Sequence, residues 1–309
     1  MISLYADALA AARTAAASQA YPQSTLYVVG TPIGNLADIS LRALHVLALV
    51  DSIACEDTRH TQQLLKAYGV DKSSSQLLAV HQHNEAEAAN TVLDRLRRGQ
   101  RVAYVSDAGT PAISDPGARL VAAVRAQAIR VVPLPGASSV TTAMSAAGVV
   151  SHSAGDGELA GGFVFAGFLP SKSQERVHAV KALDSEPRSV VLMEAPHRIE
   201  ALATALAALG DRQVTVAREL TKQFEEIATV SARDLPAWLA EQPNRLRGEF
   251  VLVVHPAKVE QETGQDARVL MLLLAELPLK TAVRLAAEIT GTSRNALYEQ
   301  ALALKQTVR

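Results

Sequence analysis

The sequence has almost no sulfur chemistry to offer: of 309 residues, one is cysteine, Cys55. An intrachain disulfide and a Cys-rich zinc site are thereby excluded. Nothing around Cys55 marks it as an activated nucleophile, so it reads as a small core filler. Aromatic residues are scarce, at 4%. An excess of one charge is lacking as well, because 30 basic against 31 acidic residues leave a formal charge of −1. That excludes a protein that coats polyanions wholesale and leaves room for a local basic patch. No apolar run approaches the roughly 20 residues that span a bilayer; compact ones such as Val269–Ala275 are far shorter. The expectation is a soluble, cytoplasmic protein in a reducing compartment, without a membrane partner. Apolar mass, by contrast, is plentiful: 49% of residues are hydrophobic, enough for packed cores and too much for a disordered chain.

Residues 1–24 are Ala-rich and lack both the basic start and the continuous apolar core of a secretory signal. They read as a flexible tail. Beyond them, Leu26–Val29, Ser52–Cys55, Val102–Val105 and Arg130–Leu134 read as buried strands. Helical spacing falls between them, over 41–49, 58–68, 85–97 and 117–127, with Gly69 and Gly99 as helix stops. Strands alternating with helices predict an α/β domain with a mostly parallel sheet. Pro133, Pro135 and Gly136 punctuate its end and suggest a boundary at 136, giving domains over 25–136 and 137–256. The second has strand candidates at 163–166, 189–193, 214–217, 226–230 and 249–254, predicted to form a mixed sheet. Residues 257–267 read as a linker. Three short helices over 268–309, broken by Pro278 and Gly291, resemble a helix-turn-helix extension.

Three Gly/Pro loops follow predicted strands of the first domain: Gly30–Asn35, Ser106–Pro111 and Pro135–Ser139. Ligands of open α/β sheets gather at the carboxyl ends of strands. Glycines there admit close backbone approach, and Asp107 and Ser138 can bond polar edges; the plain alternative is three tight turns. The first loop spaces its glycines G-x-x-x-G, which is not the dinucleotide fingerprint, and no G-x-x-x-x-G-K-[ST] run exists. Cys55–His60 (CEDTRH) sets a carboxylate pair beside Arg59 and His60, either to orient a hydroxyl or hold a phosphate, or simply to start a helix with Asp57 or Thr58 as its N-cap. His81 and His83 alternate as metal ligands on a strand would, but no third ligand stands at suggestive spacing. No metal is expected, and Asn84 is expected to cap the next helix. Glu194–Arg198 (EAPHR) and Ala217–Lys222 (ARELTK) place charge at strand ends, either as structural pairs or as a phosphate-reading rim of Arg198, Arg218 and Lys222. Residues 268–309 carry six basic and three acidic side chains, an auxiliary nucleic-acid contact or a docking bundle.

Taken together, LYVVGTPIGN (26–35), EDTRHT (56–61), VSDAGTPAISDPG (105–117), PGASS (135–139), FAGFLPSK (165–172), EAPHR (194–198), ARELTK (217–222) and RGEFVLVV (247–254) resemble the tetrapyrrole-methylase-like, class III methyltransferases. Within them, the resemblance is to the branch that methylates small-subunit ribosomal RNA, and Lys280–Tyr298 resembles that branch's C-terminal extension. It covers roughly 25–309. The resemblance implies a two-domain α/β fold with S-adenosylmethionine in a cleft between the domains, plus a small helical extension, in a homodimer. It implies 2′-O-methylation of a decoding-centre cytidine in 16S rRNA. Cofactor contacts are implied at Thr31, Pro32, Asp107, Thr110, Ser138, Ser139, Met193, Glu194, Ala217 and Gly248. Glu56, Asp57 and Glu219 are candidates to accept the ribose proton. Arg59, Arg198, Arg218, Lys222, Arg284 and Arg294 are candidates to hold the RNA. Two rivals stand beside this reading: a small-molecule tetrapyrrole methylase on the same fold, and a non-catalytic RNA-binding assembly protein.

Overall fold

The computed structural model describes residues 5–81, 84–114, 117–149, 162–257 and 263–307. The chain divides into two compact units. One holds Met1–Ala147, Val216–Ala228 and Arg247–Val251; the other holds Gly148–Thr215, Thr229–Leu246 and Leu252–Arg309.

In the first unit, β1 (Thr25–Val29), β2 (Ser52–Cys55), β3 (Leu77–Ala79), β4 (Arg101–Val105) and β5 (Arg130–Leu134) form one sheet in the order β3-β2-β4-β1-β5. Its strand pairs run parallel. A parallel sheet is covered on both faces, which explains why its inner strands are apolar runs instead of alternating ones. Alternate residues serve opposite layers. Tyr27, Ile53 and Ala103 join one cluster, with Leu44 and Leu47 of α2 (Leu41–Leu49) and Leu65 of α3 (Thr58–Ala67). Leu26, Ala54, Val102 and Tyr104 join the other, with Val92 and Leu96 of α4 (Glu85–Arg97) and Leu120 and Val124 of α5 (Ala118–Ala126). Pro133 sits on β5 opposite Val28; β5 is an edge strand, where the missing N–H costs no ladder bond.

The head of the chain is not the flexible tail its composition suggests. Residues Ala6–Ala16 form α1, with Leu9, Ala12 and Ala16 buried, and the Tyr5 ring lies 5.4 Å from that of Tyr68. Alanine is the best intrinsic helix former, and its small side chain lets α1 lie close against α2. Asn84 stands at the start of α4 but does not cap it. Its side chain turns back, accepting from the His81 amide at 2.8 Å and donating to the Ala79 carbonyl at 3.0 Å. The missing bonds of the loop after β3 outcompete the cap.

The second sheet contains β6 (Phe163–Gly167), β7 (Ser189–Glu194), β8 (Gln213–Arg218), β9 (Glu226–Ser231) and β10 (Phe250–Val254), in the order β6-β7-β10-β8-β9. β6 and β7 are parallel. At one end of the β8–β9 pair the Ala232 amide bonds the Arg212 carbonyl, and at the other Arg218 meets Glu226. Those strands are therefore antiparallel and the sheet is mixed, as its sequence suggests. The remaining helices are α6 (Ser139–Ala146), α7 (Ser173–Leu183), α8 (Ile199–Leu206) and α9 (Leu235–Ala240), followed by α10 (Thr263–Glu276), α11 (Leu279–Thr290) and α12 (Arg294–Thr307). Leu270, Val283, Ala286, Leu297 and Ala301 make a small core among the last three. Gly291 closes α11 in the left-handed conformation at φ 75°. The first of these helices starts at Thr263, inside the expected linker; residues 258–262 of that linker lie outside the described residues.

Candidate active site

The three Gly/Pro loops meet at the carboxyl edge of the first sheet, where the neighbouring strands β4, β1 and β5 end. The Thr31 amide donates to the Gly109 carbonyl at 2.9 Å, and the Gly109 amide returns the bond at 3.1 Å. Thr31 Oγ1 donates to the Ser106 carbonyl at 3.3 Å, and Thr110 Oγ1 to the Ala137 carbonyl at 3.2 Å. Gly30 and Gly136 pass so closely that a Cβ on Gly30 would lie 3.0 Å from Gly136 Cα. Backbone against backbone cannot give way, so this crossing requires glycine on both sides. Thr31, Pro32, Asp107, Thr110, Ser138 and Ser139 thus belong to one ledge of locked loops, with Ser138 at the N-cap of α6.

The loop after β2 joins the same ledge: the Asp57 amide donates to Asp107 Oδ1 at 3.2 Å. Asp57 is also the N-cap of α3, its Oδ1 accepting from the Arg59 amide at 2.7 Å and the His60 amide at 3.4 Å. The capping alternative is therefore realised, beside the candidate site. Glu56 is half-buried next to it. Cys55 is buried at the end of β2. Burial pushes its thiol up to about 11, and the Asp107 and Asp57 carboxylates push the same way, so it has no thiolate nucleophile to offer at neutral pH. Of the alternating histidines His81 and His83, the second lies outside the described residues. Among the described residues no three His, Cys, Asp or Glu side chains group as metal ligands.

Residues 217–222 and 248–249, also in the first unit, form a second cluster. Gly34 abuts it: a Cβ there would lie 2.5 Å from Lys222 Cγ and 2.9 Å from Thr221 Oγ1. Glu219 and Thr221 both hold positive φ, at 52° and 66°, a strained backbone fixed by its surroundings. Glu219 Oε1 accepts from the Glu249 amide at 2.9 Å and from Lys222 Nζ at 2.8 Å. Lys222 Nζ also reaches Glu249 Oε2 at 3.2 Å. Gly248, at φ 94°, is indispensable here because a Cβ would lie 2.5 Å from Glu219 Cγ.

This geometry assigns several expected roles differently. Arg218 is buried, bonding Glu226 Oε2 and the Phe224 and Arg247 carbonyls; it braces the loop from inside and presents no phosphate-binding face. Lys222 is held by two carboxylates, and Glu219 is engaged by Lys222, a poor arrangement for a proton acceptor. In the second unit, Met193 and Glu194 end β7. The Glu194 side chain is fully buried, with Oε1 accepting from the Ala195 amide at 2.9 Å and lying 3.1 Å from Arg198 Nε. Arg198 also donates to the Leu169 carbonyl. In the extension, Arg284 and Arg294 share one carboxylate: Glu288 Oε1 lies 3.0 Å from the former and 3.6 Å from the latter.

Two contributors escaped the sequence reading. Glu85 is a buried carboxylate that accepts from the Gly117 amide at 2.9 Å and the Arg119 amide at 3.2 Å, fixing the far end of the loop that starts at Asp107. Glu249 joins Lys222 across 27 positions. No local spacing marks either; only a run of strand-end motifs hints that such loops must be pinned.

Residues 25–236 match the family Tetrapyrrole (Corrin/Porphyrin) Methylases, and residues 260–305 match the RsmI C-terminal HTH domain. The chain is 50% identical over 284 residues to the Ribosomal RNA small subunit methyltransferase I of Escherichia coli O157:H7, covering 91% of this chain and 95% of that protein. It is 47% identical to the enzyme of the same name from Pseudomonas aeruginosa, covering 90% and 96%. Among solved structures, diphthine synthase superposes with a TM-score of 0.54 at 15% identity, covering 75% of this chain and 90% of that one. Uroporphyrin-III-C-methyltransferase from Thermus thermophilus gives 0.52 at 22% identity, covering 79% and 98%. Those two likenesses speak of the fold alone. The family match spans well over half of the chain and bears out the resemblance in its motifs: this chain belongs to the tetrapyrrole methylase family.

Proposed function

We propose that this chain is an S-adenosylmethionine-dependent methyltransferase of small-subunit ribosomal RNA, acting on the 2′-hydroxyl of a decoding-centre cytidine in 16S rRNA, as a cytoplasmic homodimer. The observation that carries the reading is the 50% identity to a small-subunit rRNA methyltransferase along 95% of that protein's length. The match of 260–305 to a helix-turn-helix domain adds a nucleic-acid element and favours RNA over a tetrapyrrole.

The residues present fit the cofactor. A nucleoside needs a carboxylate for its ribose hydroxyls and hydroxyl or backbone groups for its base, and the ledge supplies Asp107, Thr110, Ser138 and the backbone around Thr31. S-adenosylmethionine supplies an electrophilic methyl group. Asp107, already fixed through the Asp57 amide, orients the nucleoside, and rigid placement of the reacting oxygen lowers the barrier. Glu56 or Asp57 stands at the ledge to take the hydroxyl proton; Asp57 is partly spent on its cap, and Glu219 is held by Lys222. Incubating the protein with labelled S-adenosylmethionine and small ribosomal subunits from cells lacking it, then mapping ribose methylation, tests the proposal. Label in a decoding-centre cytidine is expected. Label in a tetrapyrrole and none in RNA would overturn the substrate, and a flat calorimetric titration with S-adenosylmethionine would leave only an RNA-binding protein.

A further inference from the structure

Of the cationic side chains expected to hold RNA, five are already committed to carboxylates: Arg198, Arg218, Lys222, Arg284 and Arg294. Arg59 differs. It is exposed on the first full turn of α3, and no described carboxylate lies within ion-pair distance of it. The rest of that helix follows suit. Thr58–Ala67 reads TRHTQQLLKA and has no acidic residue. Thr61 and Leu65 are buried against the first unit, whereas Arg59, Gln62, Gln63 and Lys66 are exposed. Their spacing is i, i+3, i+4, i+7, so the four form a single stripe on the outer face of the helix. At 1.5 Å per residue the stripe is about 10 Å long. Its upper end, at Arg59, adjoins Asp57, whose amide holds Asp107. At the Arg59 end, Asp57 faces the helix start and accepts from the Arg59 and His60 amides; at the Lys66 end, Asp71 lines the same hollow as Gln62, Lys66 and Lys72, so a lysine accompanies that acid.

We propose that this stripe is the docking surface for the RNA backbone, leading the strand to the carboxyl edge of the first sheet. It rests on the reading of the chain as an RNA methyltransferase and adds where the RNA runs. Arg and Lys neutralise phosphates, and glutamine amides bond phosphate and sugar oxygens without reading sequence. Two cations flanking two amides, with no acid on the helix, complement a polyanion and would gain little from an apolar protein partner.

The test is binding of protein-free small-subunit rRNA by the full chain, followed as salt rises from about 50 to about 200 mM. Each phosphate neutralised contributes a slope of about −0.7 to −0.9 in log affinity against log salt. The double variant Arg59→Ala/Lys66→Ala should bind several-fold less tightly, with a slope shallower by about 0.7 to 0.9 per lost cation. Arg59→Lys/Lys66→Arg should keep the wild-type slope. Both pairs are exposed, and thermal melting verifies that the fold stands. A wild-type slope in the double alanine variant overturns the proposal. So does a shift of its sedimentation toward a smaller species with RNA binding unchanged, which would make the face an interface between copies. A parallel S-adenosylmethionine titration separates the two readings. A flat titration defeats the methyltransferase assignment, while the salt slope still judges the stripe.

Discussion

The backbone amide of Asp57 donates to Asp107 Oδ1 across 3.2 Å, joining loops fifty positions apart in sequence. One oxygen of Asp107 thus positions the loop after β2, and Asp107 itself stands on the loop after β4, which is bonded to the loop after β1 through Thr31 and Gly109. Replacing Asp107 by alanine should remove a charge-assisted hydrogen bond to the cofactor, worth on the order of 1.5–3 kcal/mol, and release Asp57 as well. S-adenosylmethionine affinity measured by calorimetry should fall by one to two orders of magnitude while the melting curve stays cooperative. Asp107→Asn keeps an acceptor for the Asp57 amide and should fall between the two. Wild-type affinity in a folded Asp107→Ala protein would remove the residue from the site.

Gly136 supplies a sterically sharper test. A methyl group at this position would meet Gly30 at 3.0 Å, backbone against backbone, and the two loops must part. Overpacking of this kind costs about 1–3 kcal/mol. Gly136→Ala should therefore lower the melting temperature modestly and weaken S-adenosylmethionine binding more than any nearby surface substitution. Gly291→Ala, with nothing near its would-be Cβ, is the comparison: it strains one left-handed residue far along the chain and should leave cofactor affinity alone.

Much of this architecture was legible in the sequence because it is local. The parallel strands are short apolar runs, ended by Gly30 at β1, Pro135 at β5 and polar residues at β2 and β4, and these four strands fall where those runs do. β3, of three residues, is too brief to announce itself. α1 was hidden by composition: alanine makes helix, yet an Ala-rich head carries little apolar periodicity until Leu9, Ala12 and Ala16 find α2. The ledge was visible as three loops, but its locks are backbone bonds, Thr31 to Gly109 above all, that no side-chain pattern encodes. The charged motifs left two readings open, structural pairs or a phosphate rim. Arg218 and Lys222 look like a phosphate rim in one dimension; their partners Glu226 and Glu249 arrive through strand pairing.

The Glu219–Lys222 pair makes a pH prediction. Burial opposes ionisation of Glu219, but the Lys222 ammonium, the Glu249 amide and the nearby Arg218 bring its carboxyl below the ordinary 4.5. Burial likewise opposes the charge on Lys222, and the two carboxylates overcome it, raising the ammonium above its ordinary 10.5. A depressed carboxyl stabilises the fold above its unfolded value, and that contribution disappears as pH falls through the folded one. A raised ammonium stabilises below its unfolded value and is lost as pH climbs through the folded one. Between about pH 5 and pH 10 the pair is intact. Lys222→Met keeps the stem against Gly34 and removes the charge. Its stability deficit in urea unfolding should be constant from pH 6 to pH 8 and shrink progressively as pH falls below about 4.5 toward the lower value at which Glu219 is protonated in the folded wild type. A deficit that did not vary with acid would mean the lysine acts through packing alone. Since both side chains retain some exposure, solvent screening keeps the effect small.

The extension offers the last prediction, because there one acid restrains two of the expected RNA contacts. Glu288 Oε1 lies 3.0 Å from Arg284 and 3.6 Å from Arg294, on either side of the Gly291 turn. Exposed pairs such as these contribute little to stability, so their cost to the fold on removal is minor. Their effect on a polyanion is larger: each guanidinium must leave the carboxylate before it neutralises a phosphate. Glu288→Gln should therefore tighten binding to small-subunit rRNA and steepen its salt dependence, while Arg284→Ala or Arg294→Ala weakens it only modestly, the remaining arginine retaining Glu288. Removing residues 263–309 should weaken binding further and flatten the slope, with S-adenosylmethionine affinity spared. If instead Glu288→Gln left the salt slope unchanged and the truncation moved sedimentation toward monomer, the three helices would serve assembly between copies, and Arg284 and Arg294 would leave the list of RNA contacts.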